Sequence, residues 1–483
     1  MRLILVNYDN NYETEQFTRM FFKGLDIEKV KEMPRDLTGD YICIEKRESS
    51  FNISLRYGEK RIKDICKITG DEKEEMQLCL FLYKIYRQVT GTTQPWGVLT
   101  GVRPVRLMRN LYAKLGSLDA VKEKFKNYYM VSDEKIDLCR KIFNLQKPIL
   151  DNISPNDYSL YISIPFCPSR CSYCSFVSVS IKSAQNLMGA YVDNLCKEIE
   201  YTAQKAAGLG LNLKTIYMGG GTPTAVSRRQ LEQIMAKIAQ CFDLGKIEEY
   251  TVEAGRPDCT DLEKLQIIKK YGAKRISINP QTFDDNVLRA IGRAHTNRDF
   301  INCVKIARQV GFDSINMDLI AGLPEDTVAG FERSLRGCIE LGAENITVHT
   351  LTMKRASNLV IKNEEHSYDD VAQMIEKNKI LADYGYAPYY MYRQKSTVKN
   401  LENVGFSQLG HESLYNIYIM EEVQTIISCG AGGVSKVVGK QGEIKRVYNY
   451  KYPNEYLKDF NAIIHRKDEV FKLCEEFGLC DKN

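Results

Sequence analysis

The sequence predicts an α/β fold: a partial (β/α)6 barrel of the TIM type, with an α/β domain before it and a smaller region after it. Six short runs rich in β-branched and aromatic residues recur between positions 160 and 350, and longer helical patterns separate them. Strands that alternate with helices form βα units and a parallel sheet. Because six strands are fewer than the eight of a closed barrel, a partial barrel is the predicted architecture.

The first predicted domain is an N-terminal α/β accessory domain over residues 1–150. Its strands are predicted from three apolar runs, at residues 2–7, 41–45 and 51–57. Its helices are predicted from the patterns around residues 74–90 and 118–146. The run at the start of the chain is interpreted as a buried strand and not as a signal peptide. A turn-rich stretch at residues 148–157 predicts a linker.

The barrel is predicted over residues 151–385, and a C-terminal region that covers the substrate is predicted over residues 386–483. The six barrel strands are predicted at residues 160–164, 215–218, 250–253, 275–278, 314–320 and 345–350. The clearest helical patterns between them lie at residues 184–207, 226–242 and 325–341. The C-terminal region is distinguished by aromatic and glycine-rich segments.

Composition and charge exclude several classes of protein. A hydrophobic share of 44% and a charged share of 27% are those of an ordinary globular chain. The net charge of +5 is too small to indicate nucleic-acid binding by itself. No apolar run reaches the ~18 residues that a membrane span needs. Fifteen scattered cysteines without a targeting segment predict reduced thiols, and hence a cytoplasmic protein.

Three cysteines in one short run carry the main functional signal, Cys167-Pro-Ser-Arg-Cys171-Ser-Tyr-Cys174. This spacing brings three thiolates to one side of a compact loop, which suits three corners of a [4Fe–4S] cube. Such clusters normally have four cysteine ligands, so three ligands leave one iron open to a small molecule. A zinc knuckle is the alternative, but zinc favours a fourth Cys or His nearby. The next cysteine is Cys196 and the nearest histidine is His295, which favours the cluster.

Two further motifs follow at the ends of predicted strands. The first is Tyr217-Met-Gly219-Gly220-Gly221-Thr222-Pro223-Thr224, between a strand and a helix. Glycines let a backbone approach a ligand closely, and proline suits the start of a helix. The second motif is Asn316-Met-Asp318-Leu-Ile-Ala-Gly322-Leu-Pro324. Barrel enzymes concentrate their chemistry at these strand ends.

The stretch Tyr161-Ile-Ser-Ile-Pro-Phe-Cys167-Pro-Ser-Arg-Cys171-Ser-Tyr-Cys174-Ser-Phe176 resembles the signature of radical S-adenosylmethionine (SAM) enzymes. More narrowly, it resembles the oxygen-independent coproporphyrinogen-III oxidase family, and the two later motifs match this family in the right order. The resemblance covers roughly residues 155 to 440. It also implies the partial radical SAM barrel that the strand pattern predicts.

The resemblance implies a [4Fe–4S] cluster and SAM as cofactors. Cys167, Cys171 and Cys174 would bind three irons, and SAM would complete the fourth through its amino and carboxylate groups. One electron from the cluster then breaks the sulfonium bond to give methionine and a 5′-deoxyadenosyl radical. The protein supplies orientation and excludes competing reactions.

The same resemblance implies which residues contact SAM. The glycine-rich loop would bind the methionine amino group, Glu253 and Asp318 would accept hydrogen bonds, and Gln281 and Arg293 would lie around the carboxylate or ribose. No catalytic residue is assigned beyond this cofactor site. The full predicted SAM set is Tyr161, Tyr173, Gly220, Gly221, Thr222, Glu253, Gln281, Arg293, Asp318, Val348 and Val434.

By resemblance, the reaction is oxidative decarboxylation of two coproporphyrinogen III propionates to vinyl groups, in porphyrin and haem biosynthesis. The radical would take a β-hydrogen, carbon dioxide would leave, and an external acceptor would take the last electron. The implied partners are the tetrapyrrole and a reducing protein such as flavodoxin or ferredoxin. The long N-terminal extension and the segment Tyr392-Arg393-Gln394-Lys395 resemble the HemZ-type coproporphyrinogen dehydrogenases.

Two departures from the family pattern keep other functions open. Phe176 stands where the coproporphyrinogen oxidases have a further cysteine, and Ser163 stands where histidine is common. The first departure is shared with the haem-chaperone branch, which binds haem. The alternatives are therefore a haem-binding chaperone of the same fold, or a radical SAM enzyme that opens the haem ring anaerobically.

A tetrapyrrole with four propionates needs aromatic faces and cations in its pocket, and arginine's planar fork suits carboxylates. His349 and His411 could contact an acceptor, although a lone histidine is more often structural. The candidate substrate residues are Arg103, Arg106, Lys354, Arg355, Arg393 and Arg446.

Overall fold

The computed structural model describes residues 1–9, 11–22, 24–34, 37–70, 72–101, 103–176, 178–352, 368, 370–394 and 397–480. The chain forms two compact units, Met1–Arg140 and Lys141–Asn483. Among the described residues, no helix combines the length and the apolar character that crossing a membrane requires.

The first unit contains a five-stranded mixed sheet with helices. The strands are β1 (Arg2–Val6), β2 (Asp26–Val30), β3 (Tyr41–Lys46), β4 (Ser50–Tyr57) and β5 (Lys60–Lys67), in the order β2-β1-β3-β4-β5. The helices are α1 (Tyr12–Phe21), α2 (Glu74–Thr90), α3 (Pro104–Leu115), α4 (Leu118–Glu123) and α5 (Asp133–Leu150), and α5 continues into the second unit. The three predicted strands and the helix at 74–90 are confirmed.

Strands β2 and β5 were not predicted, and their position in the sheet explains why. Both are edge strands, with the sequences Asp-Ile-Glu-Lys-Val and Lys-Arg-Ile-Lys-Asp-Ile-Cys-Lys. Charged side chains protect a sheet edge from pairing with another chain, so edge strands lack the apolar run that identifies a buried strand. The predicted linker also differs, because α5 continues through Pro148 to Leu150 before the turn begins.

The second unit is built on an eleven-stranded sheet that contains the predicted partial barrel. Its strands and a short ribbon are β6 (Asp157–Ile164), β7 (Phe166–Cys167), β8 (Val179–Ser180), β9 (Asn212–Gly220), β10 (Glu249–Glu253), β11 (Arg275–Ser277), β12 (Ser314–Ala321), β13 (Asn345–Thr350), β14 (Ala387–Arg393), β15 (Glu402–Ser407), β16 (Thr425–Cys429), β17 (Val434–Val438) and β18 (Ile444–Tyr448). The six predicted strands are β6 and β9 to β13. They pair in parallel in chain order, which confirms the predicted fold.

Helices connect the parallel strands. They are α6 (Ile181–Ala184), α7 (Met188–Gly208), α8 (Arg228–Cys241), α9 (Leu262–Lys270), α10 (Asp285–Ala290), α11 (Asn297–Val310) and α12 (Val328–Glu340). Further described helices span Val371–Glu376, Ile380–Asp383, Leu414–Glu421, Pro453–Lys458 and Phe460–Glu476. A capping box at Ser227 starts α8 and another at Thr296 starts α11.

The C-terminal residues extend the barrel sheet at both edges. Strand β16 pairs in parallel with β6, and β17 and β18 follow it in antiparallel fashion. At the other edge β15 pairs with β13, and β14 pairs with β15, both antiparallel. The division of this unit at residue 385 stays a prediction, as does a substrate-covering role for the residues after it.

Candidate active site

A cavity of about 350 Å³ lies among the C-terminal ends of β6 and β9 to β13. Alternate residues of a strand face the same side, so Tyr161 of β6 and Tyr217 of β9, which are paired in register, both reach the cavity. The cavity brings together twelve of the predicted cofactor residues, namely Tyr161, Cys167, Cys171, Tyr173, Cys174, Gly220, Gly221, Thr222, Glu253, Gln281, Arg293 and Asp318.

Cys167 is the last residue of β7, and Cys171 and Cys174 lie on the loop that joins β7 to β8. Cys171 is buried, whereas Cys167 and Cys174 are half-buried and line the cavity. The Cys174 amide donates to the Cys171 carbonyl over 3.1 Å, which keeps the second half of the motif in a tight turn. Burial raises the pKa of the Cys167 and Cys174 thiols. Metal binding would therefore displace protons from these two sulfurs, because the thiolate is the ligand.

The glycine-rich loop at the end of β9 packs directly against the cysteine loop. Gly220 has a φ of +111°, which favours glycine. A Cβ atom on Gly221 would lie 2.6 Å from the Phe166 carbonyl oxygen and 3.0 Å from the Cys167 Sγ. Cys167 Sγ also lies 3.5 Å from Thr222 Oγ1. The glycine-rich motif therefore helps to position Cys167, the first cysteine of the triplet.

Glu253, at the end of β10, is the most perturbed carboxyl group of the cavity. Burial, reinforced by the nearby Asp318 carboxylate, raises the pKa of Glu253 to about 7, although hydrogen bonds from Tyr217 and the Gly220 amide oppose the shift. The Tyr217 hydroxyl donates to Glu253 Oε1 over 2.7 Å. Tyr217 also stacks on Tyr415, with ring centroids 4.5 Å apart. Perturbed groups of this kind are concentrated at functional sites.

Gln281 and Arg293 carry buried atoms that lack a hydrogen-bond partner. Gln281 Oε1 and Arg293 Nε are both buried and unpaired, and Gln281 adopts a φ of +67°. Buried polar atoms are nearly always paired in proteins, and strained backbone is concentrated at ligand sites. Arg293 Nη1 donates to the Asn279 carbonyl over 2.5 Å, so its guanidinium is held in place with one edge still available.

Asp318 contacts two further residues of the cavity lining, Asn316 and His349. Its Oδ1 accepts from Asn316 over 2.8 Å, and its Oδ2 lies 3.7 Å from His349 Nε2. His349 Nδ1 lies 3.2 Å from the hydroxyl of Tyr392. The cavity lining contains further side chains, all of them polar or aromatic except that of Met420: Thr350, Thr352, Tyr390, Gln394, Asn403, Asn416 and Met420.

The remaining predicted residues lie elsewhere. Val348 is fully buried in β13 and Val434 begins β17, and neither is among the cavity-lining residues. Arg393 is buried in β14, with Nη2 3.4 Å from the Asn400 carbonyl, and Arg446 of β18 forms a 2.7 Å ion pair with Glu422. Arg103 and Arg106 belong to the first unit, beside and within α3. Lys354 and Arg355 lie outside the described residues. All these assignments stay predictions.

Sequence reasoning missed several residues of the cavity. Tyr217 opens the glycine-rich motif, and its position on the inward-facing register of β9 was the available signal. Arg256 follows Glu253 by three positions, and its Nη1 donates to Cys171 Sγ over 3.6 Å. With 67 lysines and arginines in the chain, residue type alone could not single it out.

By their donor chemistry, the residues of the cavity fit a cluster held by three thiolates beside a small polar cofactor. Among the described residues, no three His, Cys, Asp or Glu side chains are already gathered in the arrangement of a metal site, so the three thiols would have to move together to bind the cluster. Three cysteine thiols face one end of the cavity, and the Gly220–Gly221 turn leaves no room for a side chain next to them. The unpaired atoms of Gln281 and Arg293 and the carboxyl groups of Glu253 and Asp318 surround the adjoining space. They could hold a molecule with both hydrogen-bond donors and acceptors.

Comparisons with known proteins give consistent results. The model of the Radical SAM superfamily matches residues 161–337. The chain is 40% identical over 480 residues to the oxygen-independent coproporphyrinogen-III oxidase-like protein HemZ of Bacillus subtilis. This match covers 96% of this chain and 95% of that protein. It is 33% identical to the heme chaperone HemW of Lactococcus lactis, over 57% of this chain and 69% of the chaperone.

Among solved structures, the chain resembles coproporphyrinogen III oxidase (HemN) from Escherichia coli, described as a radical SAM enzyme. The TM-score is 0.50 at 20% sequence identity, and the match covers 69% of this chain and 78% of that chain. At this identity the likeness is one of fold.

Proposed function

Since the chain belongs to the radical SAM superfamily and, within it, to the family of oxygen-independent coproporphyrinogen-III oxidase-like proteins, we propose that it oxidatively decarboxylates coproporphyrinogen III. Two propionates would become vinyl groups, which gives protoporphyrinogen IX in anaerobic porphyrin and haem biosynthesis. The observation that carries the proposal is that the three cysteines, the unpaired polar atoms of Gln281 and Arg293, and a set of aromatic and polar side chains line one and the same cavity.

In this proposal, Cys167, Cys171 and Cys174 would hold a [4Fe–4S] cluster, and the other predicted cofactor residues of the cavity would hold SAM. Together, the bound cluster and SAM supply a 5′-deoxyadenosyl radical. Glu253 and Asp318 accept hydrogen bonds from SAM, and the Gln281 amide and the Arg293 guanidinium gain the partners that they lack. The rings of Tyr161 and Tyr217 stack with their centroids 6.2 Å apart, and both line the cavity.

The substrate would contact the wall formed by His349, Tyr390 and Tyr392. Each propionate loses one hydrogen atom from its β-carbon, one electron and carbon dioxide, and a carbon–carbon double bond remains. The electron that leaves needs an external acceptor, and the cluster needs a low-potential donor such as flavodoxin or ferredoxin. The cytoplasmic location predicted from the cysteine content is part of the same proposal.

The test is an anaerobic assay of the reconstituted full-length protein with SAM, a chemical reductant for the cluster, an added one-electron acceptor and coproporphyrinogen III. We expect 5′-deoxyadenosine and a product that has lost two molecules of carbon dioxide by mass spectrometry. The matched controls are Cys167→Ala, which removes a cluster ligand, and Asp318→Asn, which keeps the shape of a SAM contact. Wild-type protein with a full cluster that forms neither product would refute the proposal.

A haem carrier is the second candidate, because Phe176 stands where the oxidases have a further cysteine and because the chain is similar to a heme chaperone. A carrier would bind haem tightly and would not cleave SAM in response to a tetrapyrrole. The same assay with haem in place of coproporphyrinogen separates the candidates. An opened haem ring in the product spectrum would instead identify the third alternative, anaerobic ring opening.

A further inference from the structure

Arg256 is buried against the cysteine loop, although no motif includes it. Only 3% of the residue is exposed. It follows Glu253 at the end of β10, but its guanidinium points to the cysteine loop. Nη1 donates to Cys171 Sγ over 3.6 Å and to the Ser169 carbonyl over 3.4 Å. Nη2 donates to Ser169 Oγ over 3.1 Å.

A carboxylate holds the guanidinium in this orientation. Asp258 accepts from Arg256 Nε over 2.8 Å and from Nη2 over 2.7 Å, which is a bidentate pair. Burial alone would raise the pKa of Asp258, but the guanidinium keeps it below the usual range. The pair therefore stays ionised, with the Arg256 side chain 4% and the Asp258 side chain 19% exposed, so its charges act more strongly on their neighbours than they would in bulk water.

We propose that Arg256 is a positioning residue that sets the reduction potential of the cluster through Cys171. Hydrogen bonds to the sulfur ligands and nearby charge are among the factors that determine the potentials of iron–sulfur clusters. A cation beside a thiolate ligand stabilises the reduced cluster, which carries one more negative charge. Arg256 thus makes the cluster easier to reduce, and its contacts with Ser169 hold the loop between the first two cysteines. The inference rests on the cluster of the proposed function but not on the tetrapyrrole.

Asp258 offers a second variant with the opposite expected sign. Removal of the Arg256 cation should make the reduced cluster less favourable. Removal of the Asp258 charge leaves the cation without its counter-ion, so the reduced cluster should become more favourable. A purely structural role for the pair would give two variants with the same defect. The signs of the two shifts in midpoint potential therefore distinguish an electrostatic effect on the cluster from a purely structural role of the pair.

The experiment is a redox titration of reconstituted full-length protein, followed by the electron paramagnetic resonance signal of the reduced cluster. For Arg256→Gln we expect the equilibrium constant of one-electron reduction to fall about tenfold, a midpoint about 59 mV more negative. For Asp258→Asn we expect a shift to a more positive midpoint. The matched control is Arg228→Gln, because Arg228 pairs with Asp261 at 3.2 Å on an exposed face. Its midpoint should equal that of wild type.

Each other outcome is decisive. A wild-type midpoint in an Arg256→Gln protein with full iron content would overturn the proposal, and so would shifts of the same sign in both variants. If Arg256→Gln assembles no cluster, Asp258→Asn decides, because it keeps the Arg256 cation and removes only its counter-ion: we expect a midpoint more positive than wild type, and an unchanged or more negative midpoint refutes the role. Wild-type protein without a cluster would refute the cofactor assignment and the proposed function together.

Discussion

The buried polar side chains around Glu198 satisfy one another, whereas those around Gln281 and Arg293 do not. Glu198 and Lys467 are almost fully buried, and Lys467 Nζ lies 3.0 Å from Glu198 Oε1. Glu198 Oε2 accepts from the Tyr456 hydroxyl over 2.6 Å and from the Gly430 amide over 2.8 Å. Gln281 and Arg293 are buried to a similar extent, yet each has a polar atom with no partner.

The difference is the one expected between a structural cluster and a candidate binding site. A buried charge is stable only when ion pairs and hydrogen bonds replace its water, as they do at Glu198. The Glu198 network links α7 and the helix Phe460–Glu476 to the loop after β16, and Tyr191 of α7 continues it to the Ser163 carbonyl over 2.8 Å. A buried polar atom without a hydrogen bond raises the free energy of the folded protein, and a ligand that bonds to the unpaired cavity atoms would remove that cost. Four predictions test this distinction.

The largest effect is expected at the cysteines. Changing Cys167, Cys171 or Cys174 to Ala should abolish the visible absorbance of the cluster and all SAM cleavage, because each removes one of three thiolate ligands. Iron content and 5′-deoxyadenosine formation are the measurements. Cys241→Ala, which alters a half-buried thiol of α8, should keep both. A single variant of the triplet that keeps a full cluster would show that the ligand assignment is wrong.

The second effect is a change in stability, and it concerns the Glu198 network. Lys467→Met leaves the Glu198 carboxylate buried without its cation, so we expect a loss of about 3–5 kcal/mol in the free energy of unfolding. Urea unfolding followed by circular dichroism measures it. The control is Lys205→Met, which removes an exposed ion pair with Asp468 and should cost about 0–1 kcal/mol. Equal losses in both variants would contradict the comparison. Adding Glu198→Gln to Lys467→Met should recover part of the loss.

The third effect concerns the binding of SAM without loss of the cluster. Asp318→Ala and Glu253→Ala remove acceptors that are not thiolates, so both proteins should assemble the cluster and fold normally. Losing a hydrogen bond to a charged group costs about 1.5–3 kcal/mol, which is roughly a ten- to hundred-fold loss of affinity. Equilibrium binding of SAM to the reconstituted variants measures it. Normal affinity in both would show that the family pattern was placed on the wrong residues.

The smallest effect is a pH dependence. Because the pKa of Glu253 is about 7, its carboxyl group takes up a proton as the pH falls below that value. If SAM needs the carboxylate, its affinity should fall about fivefold between pH 7 and pH 6, because the ionised fraction falls from about one half to about one eleventh. Glu253→Gln should bind weakly at both values with no such slope. A wild-type affinity that is flat from pH 6 to pH 8 would contradict this role.

The same shift has a defined sign for folding. The pKa of Glu253 in the folded protein is above that of an exposed glutamate, so the folded state holds a proton that the unfolded state has lost. The stability from this protonation is fully present below the pKa of the unfolded group, and it is lost as the pH rises through about 7.

Much of the fold could be predicted because its signals are local. The parallel strands β6 and β9 to β13 are short runs rich in β-branched and aromatic residues, and helical patterns separate them. Strand β16 was not predicted, although Thr-Ile-Ile-Ser-Cys is just such a run. It is separated from its partner β6 by most of the barrel, and no local pattern reveals a pairing at that distance.

By itself, the sequence determined the cysteine triplet, the glycine-rich turn and the order of the strands that carry Glu253, Gln281 and Asp318, because spacing and periodicity are properties of neighbouring residues. Only the tertiary structure decided that Arg256 meets Cys171, that His349 lies between Asp318 and Tyr392, and that Lys467 neutralises Glu198. These pairs join residues 31 to 269 positions apart in the chain. The physical reason is that burial and charge compensation depend on what packs against a side chain in space.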